Sequence, residues 1–422
     1  MISKKIAQQA KDCSKVLSEA GAEQKNKALS AMSRKLGSNK SQIISVNKQD
    51  IAEARKSGVP EHLLGRLGFA DSKIDSRIRC LNKIEGLSDP VGQPYKCERR
   101  PNGLEVQRVR VPLGVILMIY EARPHVTVNA GAFCLKSGNC AILRGGSEAR
   151  RCNELLGKLW SEALSEADLP TDSVQVVSGS HEETGELLKL SEYIDLVIPR
   201  GGKGLIETVA KESKIPVIKH YSGVCNVYID SPADIHKAID VALDSKCLMP
   251  EVCNAMETLL VSEESSEHIP AIVKAFKNCG VEVRGCQKVQ VAAEVKEATE
   301  EDWQREYLDN IVSIRVVSGV GEAIEHINTY GSHHTDSIVT DSVENAEKFK
   351  RGVDSGVVLI NASTMFCDGE SLGMGAEIGI STDKLHARGP MGLEELTSYK
   401  FVIRGEGTVM GEPGSFIQTN KN

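Results

Sequence analysis

The sequence predicts an α/β fold in which a parallel sheet is covered by helices on both faces. Short, continuously apolar runs such as Val115 to Ile119 alternate with stretches long enough to form helices, which is the pattern of parallel strands buried on both sides. The first ninety residues carry apolar side chains at helical spacing. Strand-like sequence interrupts this helix and strand alternation in two segments, 94–114 and Thr397 to Ile403. Both are predicted to form hairpin or edge strands.

The elements follow in order along the chain. Helices fill the first ninety residues, and Gly58-Val59-Pro60 and the segment 86–90 separate them. The alternation that follows predicts strands at 115–119, 140–143, 174–177, 194–198 and 227–229, with helices at 126–136, at 147–164, from 182 and from 203. Ser147 is predicted to cap the second of these helices. A long helix from Pro232 to Lys246 leads to a loop around Cys253, and a second α/β region then runs to about residue 370.

Composition bears on several classes of function. The chain has 422 residues and a formal net charge of -7, so nothing favours binding to nucleic acid or to an anionic membrane. Its longest apolar stretch, Val115 to Tyr120, is far too short to span a bilayer. Twelve cysteines are scattered without a CxxC pair, and no secretory signal is visible. We therefore expect a cytoplasmic protein with reduced thiols.

Cys253 differs from most of the other cysteines by its surroundings. It lies in a loop of small and polar residues directly before the apolar run Leu259 to Val261, which predicts a buried strand. A thiol on a loop held by a rigid strand can face a cleft, where its thiolate can attack a carbonyl group. Most of the others lie on apolar faces, where cysteine is a small hydrophobe, although Cys225 and Cys367 stay open candidates. The loop therefore indicates an enzyme that works through a covalent thioester.

Two glycine turns end predicted strands and lead into predicted helices. The first contains Arg144, Gly145 and Ser147, and the second contains Gly201 and Gly202. Glycine lets a ligand approach the backbone, a helix N-terminus favours anions, and an arginine can fork onto a phosphate or a ribose. Neither turn matches GxGxxG or GxxxxGK[ST], so each is also explained as an ordinary tight turn. Their shared place at the carboxyl ends of parallel strands favours a nucleotide site.

Histidines mark two further candidates. His125 follows the strand at 115–119 and can donate a hydrogen bond to an oxyanion, or it can be an ordinary surface histidine. Ser332, His333 and His334 are consecutive, but adjacent histidines on a strand point different ways and no Cys/His framework accompanies them. We expect structural or substrate contacts there and no metal. The glycine-rich stretch from 365 to 379 is typical of a lid and equally of a plain loop.

Several long segments are similar to one family. They run from Val111 to Glu148, from Asp195 to Gly202, around Cys253, and from Gly375 to Leu393. Through these segments the chain resembles the gamma-glutamyl phosphate reductases, a branch of the aldehyde dehydrogenase superfamily, over nearly its whole length.

The resemblance implies an aldehyde dehydrogenase-like fold of three parts. A Rossmann-like cofactor domain would take residues 1–245, and an α/β catalytic domain would take residues 246–372. Residues 373–422 would return to the cofactor domain and end in a strand that joins residues 94–111 in a small β flap. Because such a flap serves oligomerisation in the family, a homo-oligomer is expected.

The resemblance also implies a reaction. The family uses NADPH to reduce a small molecule, L-glutamyl 5-phosphate, to glutamate 5-semialdehyde and phosphate in proline biosynthesis, and glutamate 5-kinase is the implied protein partner. Cys253 would attack the acyl phosphate. Hydrolytic relatives carry a glutamate base in a Leu-Glu-Leu-Gly-Gly stretch, where this chain has Lys219 to Gly223 with His220 at about the position of that base. The lack of the glutamate suits an enzyme that must keep water off its thioester.

Residue roles follow from the same resemblance. Arg144 resembles the lysine that contacts the cofactor ribose, with Gly145 and Ser147 beside it. Gly201 and Gly202 resemble the turn near the cofactor phosphates, and Asp309 would face the nicotinamide ribose. His125 would donate to the oxyanion. The substrate phosphate or carboxylate would be bound by Arg123, Ser332, His333 and Arg388.

Four positions depart from the family pattern. The family usually has asparagine where His125 stands, aspartate at Asn129, histidine at Asn226 and arginine at Met365. His125 can still donate a hydrogen bond. These departures keep two alternatives open, namely a reductase or dehydrogenase for another acidic acyl group, and a catalytically silent paralogue that holds a nucleotide or regulates a partner.

Overall fold

The computed structural model describes residues 2–219 and 222–411, which form two compact units. The first unit takes the described residues up to 118, residues 122–196 and those from 393 onward, and the second takes residues 119–121 and 197–392. Helices and strands alternate through both, so the predicted α/β class is confirmed. The division into a cofactor domain and a catalytic domain is a division by function, and it stays a prediction.

Five helices open the first unit, as the apolar spacing predicted. Ala7, Ala10 and Leu17 are fully buried on one face of the first helix, because residues three, four and seven apart share a side of a helix. An ion pair of 3.0 Å joins Lys11 on that helix to Asp195. The helices are α1 (Ile2–Leu17), α2 (Ala22–Ser38), α3 (Lys40–Lys56), α4 (Glu61–Leu67) and α5 (Asp71–Gly86).

A four-stranded sheet follows, in the order β5-β4-β3-β6. Its strands are β3 (Val115–Tyr120), β4 (Cys140–Arg144), β5 (Val174–Val177) and β6 (Leu196–Arg200), and the helices between them are α6 (His125–Lys136), α7 (Arg150–Glu166) and α8 (His181–Leu187). Every residue of β3 is buried, and β4 and β5 are parallel. The boundary between the two units passes through β3 and β6.

The prediction that Ser147 caps a helix was wrong. Ser147 begins a short 3-10 turn, Ser147–Ala149, and α7 starts only at Arg150. The serine side chain accepts no capping hydrogen bond, and the residue in the extended conformation before the turn is Gly146.

The two alternating segments pair in the first unit, as their pattern predicted. Strands β1 (Pro94–Arg99) and β2 (Glu105–Pro112) form an antiparallel hairpin, and β16 (Thr397–Arg404) pairs antiparallel with β2. The order β1-β2-β16 leaves β1 and β16 as edges. Tyr399, Phe401 and Ile403 alternate along β16 and are about half exposed, so one face of this sheet presents apolar side chains to solvent.

The second unit is built on a seven-stranded sheet with the order β10-β9-β11-β8-β7-β12-β13. Every pairing in it is parallel. Its strands are β7 (Cys225–Ile229), β8 (Met256–Ser262), β9 (Glu282–Gly285), β10 (Lys296–Glu297), β11 (Ile311–Val317), β12 (Thr335–Val339) and β13 (Val357–Ile360). All seven residues of the central strand β8 are buried, which confirms the strand predicted from Leu259 to Val261.

Helices cover both faces of this sheet. They are α10 (Ile235–Cys247), α11 (Ile269–Asn278), α12 (Gln287–Ala292), α13 (Val320–Tyr330) and α14 (Val343–Gly352). The helix α9 (Lys203–Glu212) follows β6, and a small antiparallel pair is formed by β14 (Gly379–Ser381) and β15 (Gly389–Met391). One apolar core packs α10 and α11 on the sheet, and another packs α13 and α14. The helix predicted from Pro232 begins later, at Ile235, because the Asp234 side chain caps it.

Among the described helices, none combines the length and the apolar composition that crossing a bilayer requires.

Candidate active site

Four loops of the second unit meet at the amino ends of its central strands. They precede β11, β8, β7 and β12, which are neighbours in that order in the sheet. Each loop carries one residue of the site: Glu306, Cys253, Gly223 and Ser332, respectively. The parallel sheet therefore brings together residues that lie far apart in the sequence.

The backbone of Cys253 is held on two sides. The Cys225 thiol donates to the Cys253 carbonyl oxygen at 3.3 Å. Gly223 packs on the same carbonyl so closely that a Cβ there would lie 1.8 Å from the oxygen, so only glycine fits. On the other side, the Asn254 amide donates to the carbonyl oxygens of residues 364, 365 and 367 at 3.2–3.3 Å. Cys253 is partly buried as a residue, whereas its thiol lies in a largely buried environment.

Burial raises the pKa of Cys253 to about 11. The guanidinium of Arg200 acts against this and lowers the thiol pKa, whereas the carboxylates of Glu377 and Glu306 raise it. Because a thiol is nucleophilic only as the thiolate, the free site holds a protonated cysteine with one cation positioned to favour its ionisation.

Arg200 is the last residue of β6, and its guanidinium packs near Gly379, where a Cβ would lie 3.3 Å from Nη1. Within residues 2–219 and 222–411 its side chain makes no hydrogen bond or ion pair. The two carboxylates near the thiol are instead tied to the backbone. Glu306 accepts from the Gly223 N–H at 2.7 Å and Glu377 from the Gly369 N–H at 3.0 Å, and burial raises the pKa of both.

The remaining open cysteines are buried. Burial raises the pKa of Cys225 well above its ordinary value and that of Cys367 to about 12, so both stay neutral thiols. Among the cysteines expected in the core because they lie on helix or strand faces, Cys134, Cys140 and Cys152 are fully buried, whereas Cys247 is only partly buried. Cys253 is the candidate nucleophile that the structure supports.

The substrate-binding candidates fall into two places. Ser332 is bound to the loop that packs on the cysteine, because its Oγ accepts from the Val224 N–H, next to Gly223, at 2.8 Å. His333 and Arg388 meet elsewhere, at Asp354. The His333 ring lies 2.6 Å from the Asp354 carbonyl oxygen, and Arg388 donates to an Asp354 carboxylate oxygen at 2.8 Å. The partners Lys384 and Arg388 lower the pKa of Asp354 to about 2, so this guanidinium already has an anionic partner.

The second glycine turn holds an acidic side chain. The Gly202 N–H, at the start of α9, donates to Glu121 Oε2 at 2.8 Å. A Cβ on Gly201 would lie 2.4 Å from the same oxygen. An anion is therefore already accepted at the place where the cofactor phosphates were expected.

The first glycine turn lies in the first unit, and hydrogen bonds from Arg144 stabilise its loop. Arg144 is buried and donates to Thr184 Oγ1, to the Gly145 carbonyl and to the Gly179 carbonyl at 3.0–3.1 Å. Glu148 lies over the turn and accepts from the Ala122 N–H at 2.6 Å. The guanidinium is thus held in place by protein groups.

The other predicted site residues are His125, Arg123 and Asp309, and they differ in their exposure to solvent. His125 is the first residue of α6 and is partly buried, as is Arg123 two residues earlier. Asp309 is exposed, and its carboxylate accepts from the N–H of its neighbour Asn310. The acidic residue of this loop that reaches the cysteine segment is Glu306.

Among the departures from the family, Asn226 is the best defined. Its backbone N–H and its side-chain amide both donate to Asp336 Oδ1 at 2.8 Å. Burial raises the pKa of Asp336 to about 6. Met365 is buried, and Asn129 lies on α6, partly buried. His220 lies outside the described residues.

Three residues near the thiol were missed by the sequence reasoning: Arg200, Glu306 and Glu377. Two of them stand inside segments that the motifs had singled out, since Arg200 begins the second glycine turn and Glu377 belongs to the stretch starting at Gly375. Glu306 lies three residues before Asp309. Each of the three lies close in the sequence to a residue or segment already singled out. The sequence does not show which of the neighbouring side chains faces the thiol, because that depends on the fold.

Within the described part of the chain, no group of three or more His, Cys, Asp and Glu side chains is arranged to hold a metal ion.

The comparison with known proteins places the chain in a class. Residues 3–307 match the model of the aldehyde dehydrogenase family. An acetylating aldehyde dehydrogenase from Geobacillus thermoglucosidasius has the same fold, with a TM-score of 0.69 at 17% identity over 96% of each chain. The chain belongs to the aldehyde dehydrogenase family, whose members use NAD or NADP.

Two solved structures define the branch. A gamma-glutamyl phosphate reductase from Thermotoga maritima is 43% identical, with a TM-score of 0.94, and the match covers 97% of this chain and 100% of that one. One from Saccharomyces cerevisiae is 33% identical, with a TM-score of 0.55 over 97% and 99% of the chains. Within its family the chain therefore groups with the gamma-glutamyl phosphate reductases. The predicted family, fold and enzyme class are confirmed.

Proposed function

We propose that this chain reduces L-glutamyl 5-phosphate to glutamate 5-semialdehyde with NADPH and releases phosphate. The observation that carries the proposal is the partly exposed Cys253, fixed by its backbone between Gly223 and the Asn254 anchor. Full-length similarity to gamma-glutamyl phosphate reductases supplies the substrate class.

The chemistry begins at the sulfur. The Cys253 thiolate attacks the acyl carbon of the acyl phosphate, a C–S bond forms, the C–O bond to phosphate breaks, and phosphate leaves with that electron pair. Phosphate is a stable anion, so its departure needs little help from an acid. The product on the enzyme is a thioester of Cys253.

Arg200 provides the charge that this step needs. It is the cation that lowers the pKa of the Cys253 thiol, and within the described ranges no protein anion is hydrogen-bonded to it. A guanidinium can bind a phosphate or carboxylate through two parallel hydrogen bonds. Arg200 can thus stabilise the thiolate and the anionic substrate in turn.

The turn after β6 is the proposed place for the cofactor phosphates, which would take the Gly202 N–H from the Glu121 carboxylate. The Gly202 N–H at the start of α9 already binds an anionic oxygen from Glu121, and a phosphate oxygen is an acceptor of the same kind. Gly201 and Gly202 would hold the cofactor phosphates, and the bound cofactor supplies the hydride that reduces the thioester. The ribose contacts proposed for Arg144, Gly145, Ser147 and Asp309, and the choice of NADPH, rest on the family resemblance.

The reaction can be tested in reverse. Purified protein is mixed with the cyclic form of glutamate 5-semialdehyde, NADP and phosphate, and the absorbance of NADPH is followed. The proposal requires a signal that depends on phosphate and disappears in Cys253→Ala. A signal without phosphate would indicate a hydrolytic dehydrogenase. Nucleotide binding without turnover of any aldehyde would indicate the silent paralogue. Turnover of a different acidic aldehyde instead would indicate a reductase or dehydrogenase for another acidic acyl group.

Assembly and location belong to the same proposal. The exposed apolar side chains of Tyr399, Phe401 and Ile403 lie on an edge strand, where a second copy could cover them, and this supports a homo-oligomer. All twelve cysteines are free thiols, which supports a reducing compartment such as the cytoplasm. Glutamate 5-kinase is the proposed partner, since it would supply the acyl phosphate. Sedimentation of the purified protein tests the assembly.

A further inference from the structure

A fully buried ion pair lies directly behind the cysteine loop. Lys246, near the end of α10, donates to Glu257 Oε2 at 2.7 Å, and both side chains are completely inaccessible to solvent. Glu257 stands four residues after Cys253, on β8. Isolated buried charges are strongly unfavourable, and even paired ones seldom add stability over an apolar pair. The pair therefore calls for an explanation in function.

The second oxygen of Glu257 holds a loop. Its Oε1 accepts from the backbone N–H groups of Tyr307 and Leu308, both at 3.1 Å. Leu308 has a left-handed backbone with a φ of 53°, a conformation that costs about 1 kcal/mol or more for a residue with a branched side chain and needs external contacts to persist. A single carboxylate oxygen thus fixes the two residues that follow Glu306.

That loop closes a ring of contacts around the nucleophile. Glu306 accepts from the Gly223 N–H at 2.7 Å, and Gly223 packs on the Cys253 carbonyl. The ring runs from Cys253 along the chain to Glu257, across to residues 306–308, on to Gly223 and back to Cys253. Each link is a direct contact, so a shift of the loop displaces the backbone of the cysteine.

We propose that Glu257, whose charge is balanced by Lys246, is a positioning residue. It fixes the position of the Cys253 backbone through its contacts with residues 306–308 and through Gly223. The proposal rests on the role of Cys253 in the proposed function. Glu257 does not touch the thiol. It acts by holding Glu306 against Gly223, which fixes both the place of the sulfur and the place of a carboxylate near it.

Two double variants isolate the hydrogen-bond acceptor. K246M/E257Q and K246M/E257M both remove the ion pair without leaving a lone charge, and they differ in that glutamine still offers a carbonyl oxygen to Tyr307 and Leu308. A displacement of about 1 Å at a reacting group can lower the rate about 100-fold. We expect kcat to fall by about that factor in K246M/E257M with KM unchanged within about threefold, and to stay within about threefold of wild type in K246M/E257Q.

A readout without substrate separates this inference from the proposed function. Release of the loop takes the Glu306 carboxylate away from the sulfur and admits water, and both changes lower the thiol pKa. Alkylation of Cys253 by iodoacetamide should then speed up by about fivefold or more in K246M/E257M and by less than about twofold in K246M/E257Q. If wild type turns over no aldehyde, the proposed function fails, and alkylation still decides the inference.

A matched control is available in the first unit. The buried Lys25 forms an ion pair with the partly buried Asp89 at 2.7 Å. K25M/D89N therefore measures the general effect of losing such a pair and should be alkylated at the wild-type rate. If K246M/E257M does not fold, K246L/E257L replaces it, because leucine likewise offers no acceptor to the N–H groups of Tyr307 and Leu308. Equal alkylation and equal kcat in the apolar and the glutamine double variants would overturn the proposal.

Discussion

Replacing Gly223 with alanine should push the backbone of Cys253 out of place. The added Cβ would lie 1.8 Å from the Cys253 carbonyl oxygen, 2.5 Å from its carbon and 2.8 Å from Cα. Non-bonded atoms of these kinds attract at about 3.5 Å and repel strongly well inside that, so the two segments must separate by roughly 1 Å or more. Such overpacking costs about 1–3 kcal/mol, and a shift of that size at the nucleophile lowers the rate about 100-fold.

The assay for Gly223→Ala is steady-state turnover in the reverse direction, together with the thermal midpoint of unfolding. Gly321→Ala is the matched control. Gly321 lies in α13, where the nearest atom to an added Cβ is the flexible end of Lys348 at 3.8 Å, and alanine is favoured over glycine in a helix by about 1 kcal/mol. We expect the control to keep full activity and to melt no earlier. A Gly223→Ala protein with kcat within about threefold of wild type would refute the reasoning.

Three further predictions concern charge. Arg200→Met removes the cation that lowers the Cys253 pKa, so alkylation at fixed pH should slow, and Arg200→Lys should restore most of the rate. Glu306→Gln removes a carboxylate that raises this pKa but keeps an acceptor for Gly223, so alkylation should accelerate; an unchanged rate would contradict the charge effect. Asp336 has its pKa raised to about 6, so the folded state binds more protons than the unfolded state between roughly pH 4 and 6, and Asp336 lowers stability as pH rises through that window by up to about 1.4 kcal/mol per unit. Denaturant titrations of Asp336→Asn should lack this decline.

Much of the fold could be predicted from local patterns. The strand at β8 followed from the apolar run Leu259 to Val261, and the edge strands followed from polar–apolar alternation, because both signals reflect the two faces of a strand. The choice of Cys253 followed from its loop, since a thiol next to a buried strand is held but accessible. These inferences need only the sequence within a few residues.

The rest of the site depends on contacts between distant segments. Glu306 and Gly223 are 83 positions apart, and no local pattern indicates that their loops precede strands two places apart in one sheet. The family resemblance proposes Asp309 for the cofactor ribose, and no local signal marks Glu306, three residues earlier. The fold brings the Glu306 carboxylate to Gly223, whereas Asp309 accepts from its neighbour Asn310. The resemblance assigns Arg388 to the substrate phosphate or carboxylate, but the fold gives it Asp354 as a partner.

The packing that fixes Cys253 also explains why its thiol is hard to ionise. Burial is the main cause of the pKa of about 11, and the carboxylates that hold the surrounding loops add to it. A thioester enzyme gains from the same burial, because a site that excludes water protects the acyl intermediate from hydrolysis. The Cys253 thiol must then be ionised with the help of a protein cation, because most water is kept out of the site. Arg200 meets this condition, since it is a permanent charge and its guanidinium is not neutralised by a hydrogen-bonded carboxylate in the described structure. In the proposed reaction the Cys253 thiol first gives its proton to solvent and becomes a thiolate beside Arg200. Attack on the acyl carbon then transfers negative charge from sulfur to the departing phosphate beside the same cation.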